Sequence, residues 1–286
     1  MQTDNSQAVS LYKRWRIFKT QCRFLKKHKY WPNIAHPKTF SEKIQHRKFF
    51  GNQPLYSICA DKFAVREYVK TKVGEQYLVP LIDVVEQPEQ LNYQQYGDQF
   101  VIKTTHDSGG VYIYRNGQFD KNNVIGRIKK SLLKDTGILR DEPWYSAIKP
   151  KIMVESLLQT SSGELPSDYK FHMFNQGDDI EFFLQVDYDR DGDHHRSIYD
   201  SAKQLINLSI KTKSKNKPLA KLDNYDEMVW VAKQLAADFD YVRVDLYNFD
   251  GKIYFGELTF AHGSGFRRFK PAHYDKEWGQ LWKSVN

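Results

Sequence analysis

The residues best suited to do chemistry lie between Tyr241 and Phe260, in the stretch YVRVDLYNFDGKIYFGELTF. Two runs of β-formers flank Asn248-Phe249-Asp250-Gly251, and an Asp-Gly step between such runs predicts a β-hairpin. Alternation sets Val242, Val244 and Leu246 on one side and Arg243, Asp245 and Tyr247 on the other. On the return strand it groups Phe255, Glu257 and Thr259. Pairing around the turn would let Arg243, Asp245, Glu257 and Thr259 converge. Two carboxylates among large apolar neighbours are costly to bury without a counter-ion. A hard divalent cation such as Mg²⁺ suits them, because it takes oxygen ligands and leaves positions for substrate phosphates. An exposed polar face on an edge hairpin is the alternative that spacing leaves open.

A second group of chemical residues runs from Tyr96 to Tyr114. Gln99–Lys103 reads as a strand with a lysine inside it, Thr104–Gly110 as a small glycine-containing loop, and Val111–Tyr114 as another strand. Such a loop can offer backbone N–H groups, and Lys103 a charge, to phosphates. The spacing is not that of a P-loop, and a plain turn is the competing reading. The cluster His194-His195-Arg196 invites a metal interpretation. Adjacent histidines lack the facing geometry of i, i+4 pairs, so an anion-binding or solvated loop ranks above it. With Ser264 and Arg267 of the later HGSGFRR segment, His194, His195 and Arg196 are candidate substrate contacts.

The elements that must position these residues follow from periodicity and punctuation. Leu11–Lys29 predicts a helix carrying eight basic residues. Leu11, Trp15, Phe18, Cys22 and Leu25 recur on one face of it. One reading docks that apolar stripe on the core and leaves the basic face in water. The other makes the helix an interfacial one that meets anionic lipid or an acidic polymer. After the breaks at Trp31-Pro32 and His36-Pro37, Thr39–Phe50 predicts a helix with Thr39 and Glu42 forming a capping box. Asp61–Lys70 predicts another, capped by Asp61 and ending near Gly74, and Leu78–Leu81 a short strand. Val124–Lys134 and Asn224–Phe239 read as helices. Lys151–Leu158, Asp168–Asn175 (with Lys170 and His172) and Ile180–Asp187 read as strands.

The chain has 286 residues, 40% hydrophobic and 15% aromatic, enough for one large domain or two to three lobes. No apolar run is long enough to span a bilayer, and no signal-peptide pattern opens the chain. Two cysteines, Cys22 and Cys59, supply neither a disulfide framework nor metal spacing. The expectation is a reduced, cytoplasmic protein, at the inner face of the membrane if the basic helix binds lipid. A net charge of +8 suits anionic partners without choosing among them.

Taken in order, KTFSEKI, ADKFAVREYV, FVIKTTHDSGG, MVESLL, LPSDYKFHMF, VRVDLYNFDGKIYFGELTF and GSGF resemble the TupA-like branch of the ATP-grasp family, found in bacterial surface-polysaccharide clusters. The resemblance covers most of the chain. It implies an α+β ATP-grasp fold, with an N-terminal helical, substrate-side region over 1–95. A small glycine-loop lid would occupy 96–150 and a larger antiparallel-sheet catalytic part 151–286. It implies ATP and Mg²⁺ as cofactors. Lys62 would be the first ATP-contacting lysine, and Lys103 the lid lysine on the α- and β-phosphates. His106, Ser108, Gly109 and Gly110 would cover the β- and γ-phosphates, while Glu155, Ser156, Leu157 and Leu158 would form the adenine hinge. Asp245 and Glu257 would hold Mg²⁺, with Arg243 facing the transferring phosphate and Lys170 a further phosphate contact. Thr259 departs from the family pattern, which often has Asn as an additional metal ligand there.

The implied reaction is carboxylate–amine ligation through an acyl phosphate, joining an amino acid or small amine to a hexuronic acid, with no nucleic-acid partner. Three rivals remain at this level. One is a sugar or glycan kinase using the same ATP site. Another is a glycosyltransferase using a nucleotide sugar. The last is a non-catalytic basic module for nucleic acid or membrane, against which the co-occurrence of Lys62, Lys103, Asp245 and Glu257 argues.

Overall fold

The computed structural model describes residues 11–107, 109–115, 117, 120–177, 179–188, 195–210 and 217–283. The chain opens with helices α1 (Leu11–His28), α2 (Phe40–Phe50), α3 (Leu55–Ala60) and α4 (Val65–Lys72). Strands β1 (Leu81–Val85), β2 (Gln99–Thr104) and β3 (Val111–Arg115) follow, then helices α5 (Lys121–Leu132) and α6 (Thr136–Arg140). Strands β4 (Ile152–Ser156), β5 (Asp168–Asn175), β6 (Ile180–Tyr188), β7 (His195–Tyr199), β8 (Leu205–Ile206) and β9 (Ser209–Ile210) lead to α7 (Tyr225–Ala236). The chain closes with the hairpin β10 (Tyr241–Phe249) and β11 (Lys252–Thr259), the short β12 (Phe269–Lys270) and α8 (His273–Leu281).

Two antiparallel sheets carry the architecture. The smaller has the order β1-β4-β2-β3 and the larger β11-β10-β5-β6-β7-β8. The smaller sheet takes one strand from 1–95, two from 96–150 and one from 151–286. Its apolar face, with Phe100, Ile102, Ile152 and Val154, packs on Val124 and Ile128 of α5 as a separate small core. The other face carries Lys103 and Glu155. In the larger sheet, Phe171, Met173, Val242, Val244 and Leu246 form one face with Met228, Val231 and Leu235 of α7. Residues one step away along the same strands, Lys170, His172, Arg243 and Asp245, therefore share the opposite face. One end of that face is closed by the aromatic cluster Phe40, Phe174, Tyr241, Phe269 and Trp278, contributed in part by α2 and α8.

Several expected elements are displaced. Thr39 and Glu42 do form the capping box of α2. Asp61 is not the N-cap of α4: it is the C-cap residue of α3, its carboxylate accepts from the Phe63 N–H at 2.8 Å in a turn, and α4 starts four residues later. The strand expected at Leu78–Leu81 begins at Leu81, because Glu75–Tyr77 forms a 3₁₀ turn first. The expected docking of α1 is reversed. Thr20, Phe24 and His28 are its buried residues, while Leu11, Trp15, Phe18, Cys22 and Leu25 face solvent.

Asp275, in the first turn of α8, is buried and accepts from both the backbone N–H and the hydroxyl of Ser41, at 2.8 and 2.9 Å. Burial pushes its carboxyl up to about 6, against the opposing pull of those bonds. A folded-state value above the unfolded one gives stability that is full below about pH 4 and lost as pH rises through about 6. Asp275→Asn keeps the acceptor and removes the charge. Urea unfolding should find it more stable than wild type by about 1–2 kcal/mol at pH 8, with the difference gone near pH 4.

Candidate active site

The site is built on the hairpin's polar face. Arg243 pairs with Thr259 and Asp245 with Glu257 across β10 and β11. The register then shifts, so that Leu246 faces Phe255 and Gly256 is the extra residue of a bulge. This corrects the strand alternation: Phe255 packs in the core, and only Glu257 and Thr259 join Arg243 and Asp245. The bulge suits glycine, since a Cβ at position 256 would stand 3.0 Å from the Asp245 carbonyl oxygen. On the other side of β10, β5 sets Lys170 opposite Asp245 and His172 opposite Arg243.

Arg243 organises the charges. Its Nε and Nη2 donate to the two oxygens of Asp245 at 2.6 and 2.7 Å. Nη2 also donates to Glu257 Oε1 at 2.7 Å, and Nη1 to Nδ1 of His262 at 2.9 Å. Lys170 Nζ reaches Asp245 at 2.8 Å and Asp168 at 3.3 Å. Burial alone would raise the Asp245 carboxyl, but Arg243 and Lys170 outweigh it and hold the group at about 2. His262 accepts through Nδ1 and is therefore neutral with its proton on Nε2. Burial, with His172 and Arg243 nearby, holds its pKa well below the ordinary histidine value. Glu257 differs from Asp245 in being 44% exposed. The Thr259 hydroxyl donates to its Oε1 at 2.9 Å.

Beside the smaller sheet stand the remaining cations: Lys103 on β2, Arg66 on α4 and Lys62 in the turn before α4. Lys103 Nζ donates to Glu155 Oε2 at 2.6 Å, and Arg66 to Oε1 at 2.8 Å. The Glu155 carboxylate is thus engaged by two cations, and any contact from this segment to an adenine falls to backbone groups or to the half-buried Ser156, Leu157 and Leu158. Lys62 Nζ donates to the Thr104 carbonyl at 2.8 Å and to that of Asp107, tying it to the base of the glycine loop. Burial lowers its pKa, while Asp107 and Glu257 oppose the shift and Lys103 adds to it. Lys62 therefore stands within electrostatic reach of both sheets' charged groups.

Not every expected residue joins this constellation. His106 is buried, with Nε2 3.0 Å from the Ser131 carbonyl oxygen, and fastens the loop to α5 instead of facing a ligand. Gly109 and Gly110 remain at the loop, where the Gly110 N–H donates to Asp107 Oδ1 at 3.1 Å. Ser108 and His194 lie outside the described residues. Arg196 does not sit in a solvated loop. It is in β7, held by Asp187 at 2.6 Å and donating to the Ile210 carbonyl at 2.7 Å. His195 is in the same strand, opposite Tyr188. Ser264 takes a left-handed φ of 53° and receives Lys48 Nζ at 3.0 Å on its hydroxyl. Arg267 is exposed.

Sequence reasoning missed Arg66, Asp107, Asp168 and His262. Arg66 is four residues beyond Lys62, and Asp168 alternates with Lys170 and His172 on one strand, so spacing held a signal for both. Nothing in the spacing announces Asp107 or His262.

The donor chemistry fits Mg²⁺. Among the described residues no three His, Cys, Asp or Glu side chains are placed to hold a metal by themselves. Asp245, Glu257 and the Thr259 hydroxyl are hard oxygen donors in register pairs that follow one another on the same face of the hairpin. Such a set suits a cation that completes its shell with phosphate and water oxygens. Glu257 retains an oxygen that no side chain in the cluster engages.

Two antiparallel sheets, one bearing a glycine loop and a lysine and the other a carboxylate hairpin, define an ATP-grasp fold. Residues 42–283 match the TupA-like ATPgrasp family, and the chain belongs to it. No curated protein matches the chain in sequence. Among solved structures it is similar to D-alanine–D-alanine ligase from Helicobacter pylori, with 16% identity, 80% of this chain and 62% of that chain covered, and a TM-score of 0.42. It is also similar to the Bacillus anthracis D-alanine–D-alanine ligase complexed with ATP (15% identity, 71% and 54% covered, TM-score 0.39). A third is N5-carboxyaminoimidazole ribonucleotide synthetase from Thermus thermophilus (13%, 71% and 45%, TM-score 0.39). The chain spans less than two thirds of the length of each of these three proteins.

Proposed function

We propose that this chain is an ATP- and Mg²⁺-dependent carboxylate–amine ligase of surface-polysaccharide biosynthesis, joining a hexuronic acid to an amino acid or small amine. The observation that carries the reading is the polar face shared by Lys170, Arg243, Asp245, Glu257 and Thr259, with Lys62, in the turn before α4, coupled electrostatically to both Glu257 and Lys103. Family membership supports ATP use, and the basic surface suits an acidic saccharide. The saccharide and the amine are proposals of chemical class.

Each lysine of the site rests on a carboxylate: Lys103 on Glu155, Lys62 on Asp107, Lys170 on Asp245 and Asp168. A triphosphate offers the same cations stronger anionic partners, and its binding would redirect Lys62, Lys103 and Lys170 towards phosphate oxygens. The substrate carboxylate oxygen attacks the γ-phosphorus, the bond to the bridging oxygen breaks, and ADP leaves. The neutral amine then attacks the acyl carbon, the bond from that carbon to the phosphate oxygen breaks, the departing phosphate takes up the proton lost by the nitrogen, and an amide forms. Arg243, fixed by three partners, neutralises charge on the transferring group at no reorganisation cost. Mg²⁺ held by Asp245 and Glu257 would supply further neutralisation of the phosphates. The glycine loop would exclude water, to which an acyl phosphate is vulnerable.

ATP with Mg²⁺ should raise the melting temperature of the protein, since ligand at about 100 times its Kd adds roughly 2.7 kcal/mol. EDTA should reduce that shift. Product analysis with candidate acids and amines should give ADP, phosphate and a new amide. ADP with a phosphorylated saccharide would instead establish a kinase. A thermal shift with a nucleotide sugar and none with ATP would establish a glycosyltransferase.

A further inference from the structure

Among the described residues, the outer face of α1 has no partner in the fold. The helix is held from one side only. Phe24 and His28 are buried and stack at 4.0 Å, His28 Nε2 lies 3.1 Å from the Gly265 carbonyl oxygen, and Arg16 donates to the Ile138 carbonyl at 2.6 Å. On the opposite side stand Leu11, 83% exposed, Trp15 and Phe18, both 57% exposed, and Cys22 and Leu25. At about 100° per residue these five side chains span an arc of only roughly 80° and a length of about 21 Å. Trp31, half exposed beyond the helix, extends the patch, its ring 6.1 Å from that of Phe18. Large apolar side chains gathered into one continuous exposed patch mark an interaction surface.

The charges beside the stripe select its partner. Helix α1 contains no acidic residue, and Arg14, Lys19, Arg23 and Lys26 flank the stripe, all exposed. We infer that α1 is an interfacial helix that seats this protein on an anionic lipid bilayer, with Trp15, Phe18 and Leu25 entering the acyl boundary and the flanking basic side chains meeting lipid headgroups. A helix with an apolar stripe, basic flanks and no acid has the composition that lies in the plane of such a surface. Among the described residues no helix is long and apolar enough to cross a membrane, and α1 would lie in the plane of the surface. A second copy of the chain is the poorer occupant. A two-fold dimer through this face would set each row of basic residues against its own copy. For a protein whose proposed substrates belong to a cell-surface polymer, this seat would hold the site beside lipid-linked material. The seat itself does not depend on that activity.

The test is co-sedimentation of the full chain with vesicles of phosphatidylcholine alone or mixed with phosphatidylglycerol, at low and high salt. Binding is expected to the anionic vesicles, with Trp emission shifted to the blue, and to weaken as salt screens the charges. Trp15→Ser with Phe18→Ser should lower partitioning by at least about tenfold, and Lys19→Glu with Lys26→Glu should do so on the anionic vesicles alone. Both variants should keep the wild-type melting temperature and ATP-induced shift, because every altered side chain is exposed. Absence of binding to anionic vesicles at low salt would overturn the inference. So would wild-type binding by the Trp15/Phe18 variant, or a wild-type dimer that this variant converts to monomer without loss of lipid binding.

Discussion

Glu257→Gln is expected to lower turnover by roughly 10²-fold or more while changing nucleotide affinity far less. The exposed oxygen of Glu257 is the hard anionic donor that no side chain in the cluster occupies. Its other oxygen already takes Arg243 and the Thr259 hydroxyl, at 2.7 and 2.9 Å. The amide keeps the shape but supplies no negative charge for a cation that must balance the transferring phosphate. In the proposed site nucleotide binding draws on Lys62, Lys103 and the segment after β4; the substitution removes one charged neighbour of Lys62 and leaves its bonds to the Thr104 and Asp107 carbonyls in place. Asp245→Asn should act in the same direction. Thr259→Val should cost less, since the hydroxyl orients Glu257 in this arrangement. Product formation and nucleotide affinity measured for each variant check this. A Glu257→Gln enzyme with wild-type turnover would make the hairpin a structural feature and remove its role in ATP chemistry.

The hairpin was legible because alternation and an Asp-Gly turn are local signals, and the strand pairing obeys them as far as Asp245. The bulge at Gly256 was not legible from alternation. One inserted residue moves Phe255 to the core and leaves Glu257 on the polar face, and period-2 reasoning has no means to count an unpaired residue. Helix α1 shows a different limit. Periodicity identifies which residues share a face, here Leu11, Trp15, Phe18, Cys22 and Leu25, but not which face docks. The protein holds this helix through Phe24 together with polar groups such as Arg16, Thr20 and His28, whose contacts reach residues more than a hundred positions away. Residue type marks Asp61 as an N-cap, yet it ends α3 as its C-cap residue and its carboxylate stabilises the turn before α4. The convergence of Lys62, Lys103 and Glu257 came from family resemblance, not from spacing, because it joins two sheets. Arg196 looked solvated in a polar run because Asp187, nine residues earlier, only becomes its partner once β6 and β7 pair.

Arg243→Gln is expected to damage both stability and activity. Its guanidinium is buried and makes four hydrogen bonds: two to Asp245, one to Glu257 and one to His262. A glutamine cannot span these partners. Asp245, only 4% exposed, would be left with Lys170, which it already shares with Asp168. Removing one member of a buried pair leaves an uncompensated charge and costs about 3–5 kcal/mol, more than the pair contributes over a neutral replacement. Much of that cost should be recovered by neutralising the stranded partner. In the double variant Arg243→Gln/Asp245→Asn, the loss should therefore be smaller than the sum of the single losses, with a coupling of about 1–3 kcal/mol. On the proposed mechanism activity should not recover, because the double variant lacks both the cation assigned to the phosphate and one of the carboxylates assigned to Mg²⁺. Urea unfolding of the three variants gives the coupling, and product formation gives the activity. Additive stability losses would mean that Asp245 does not depend on Arg243. Recovery of turnover in the double variant would mean that Arg243 serves the fold alone, and that the phosphate is neutralised by the lysines.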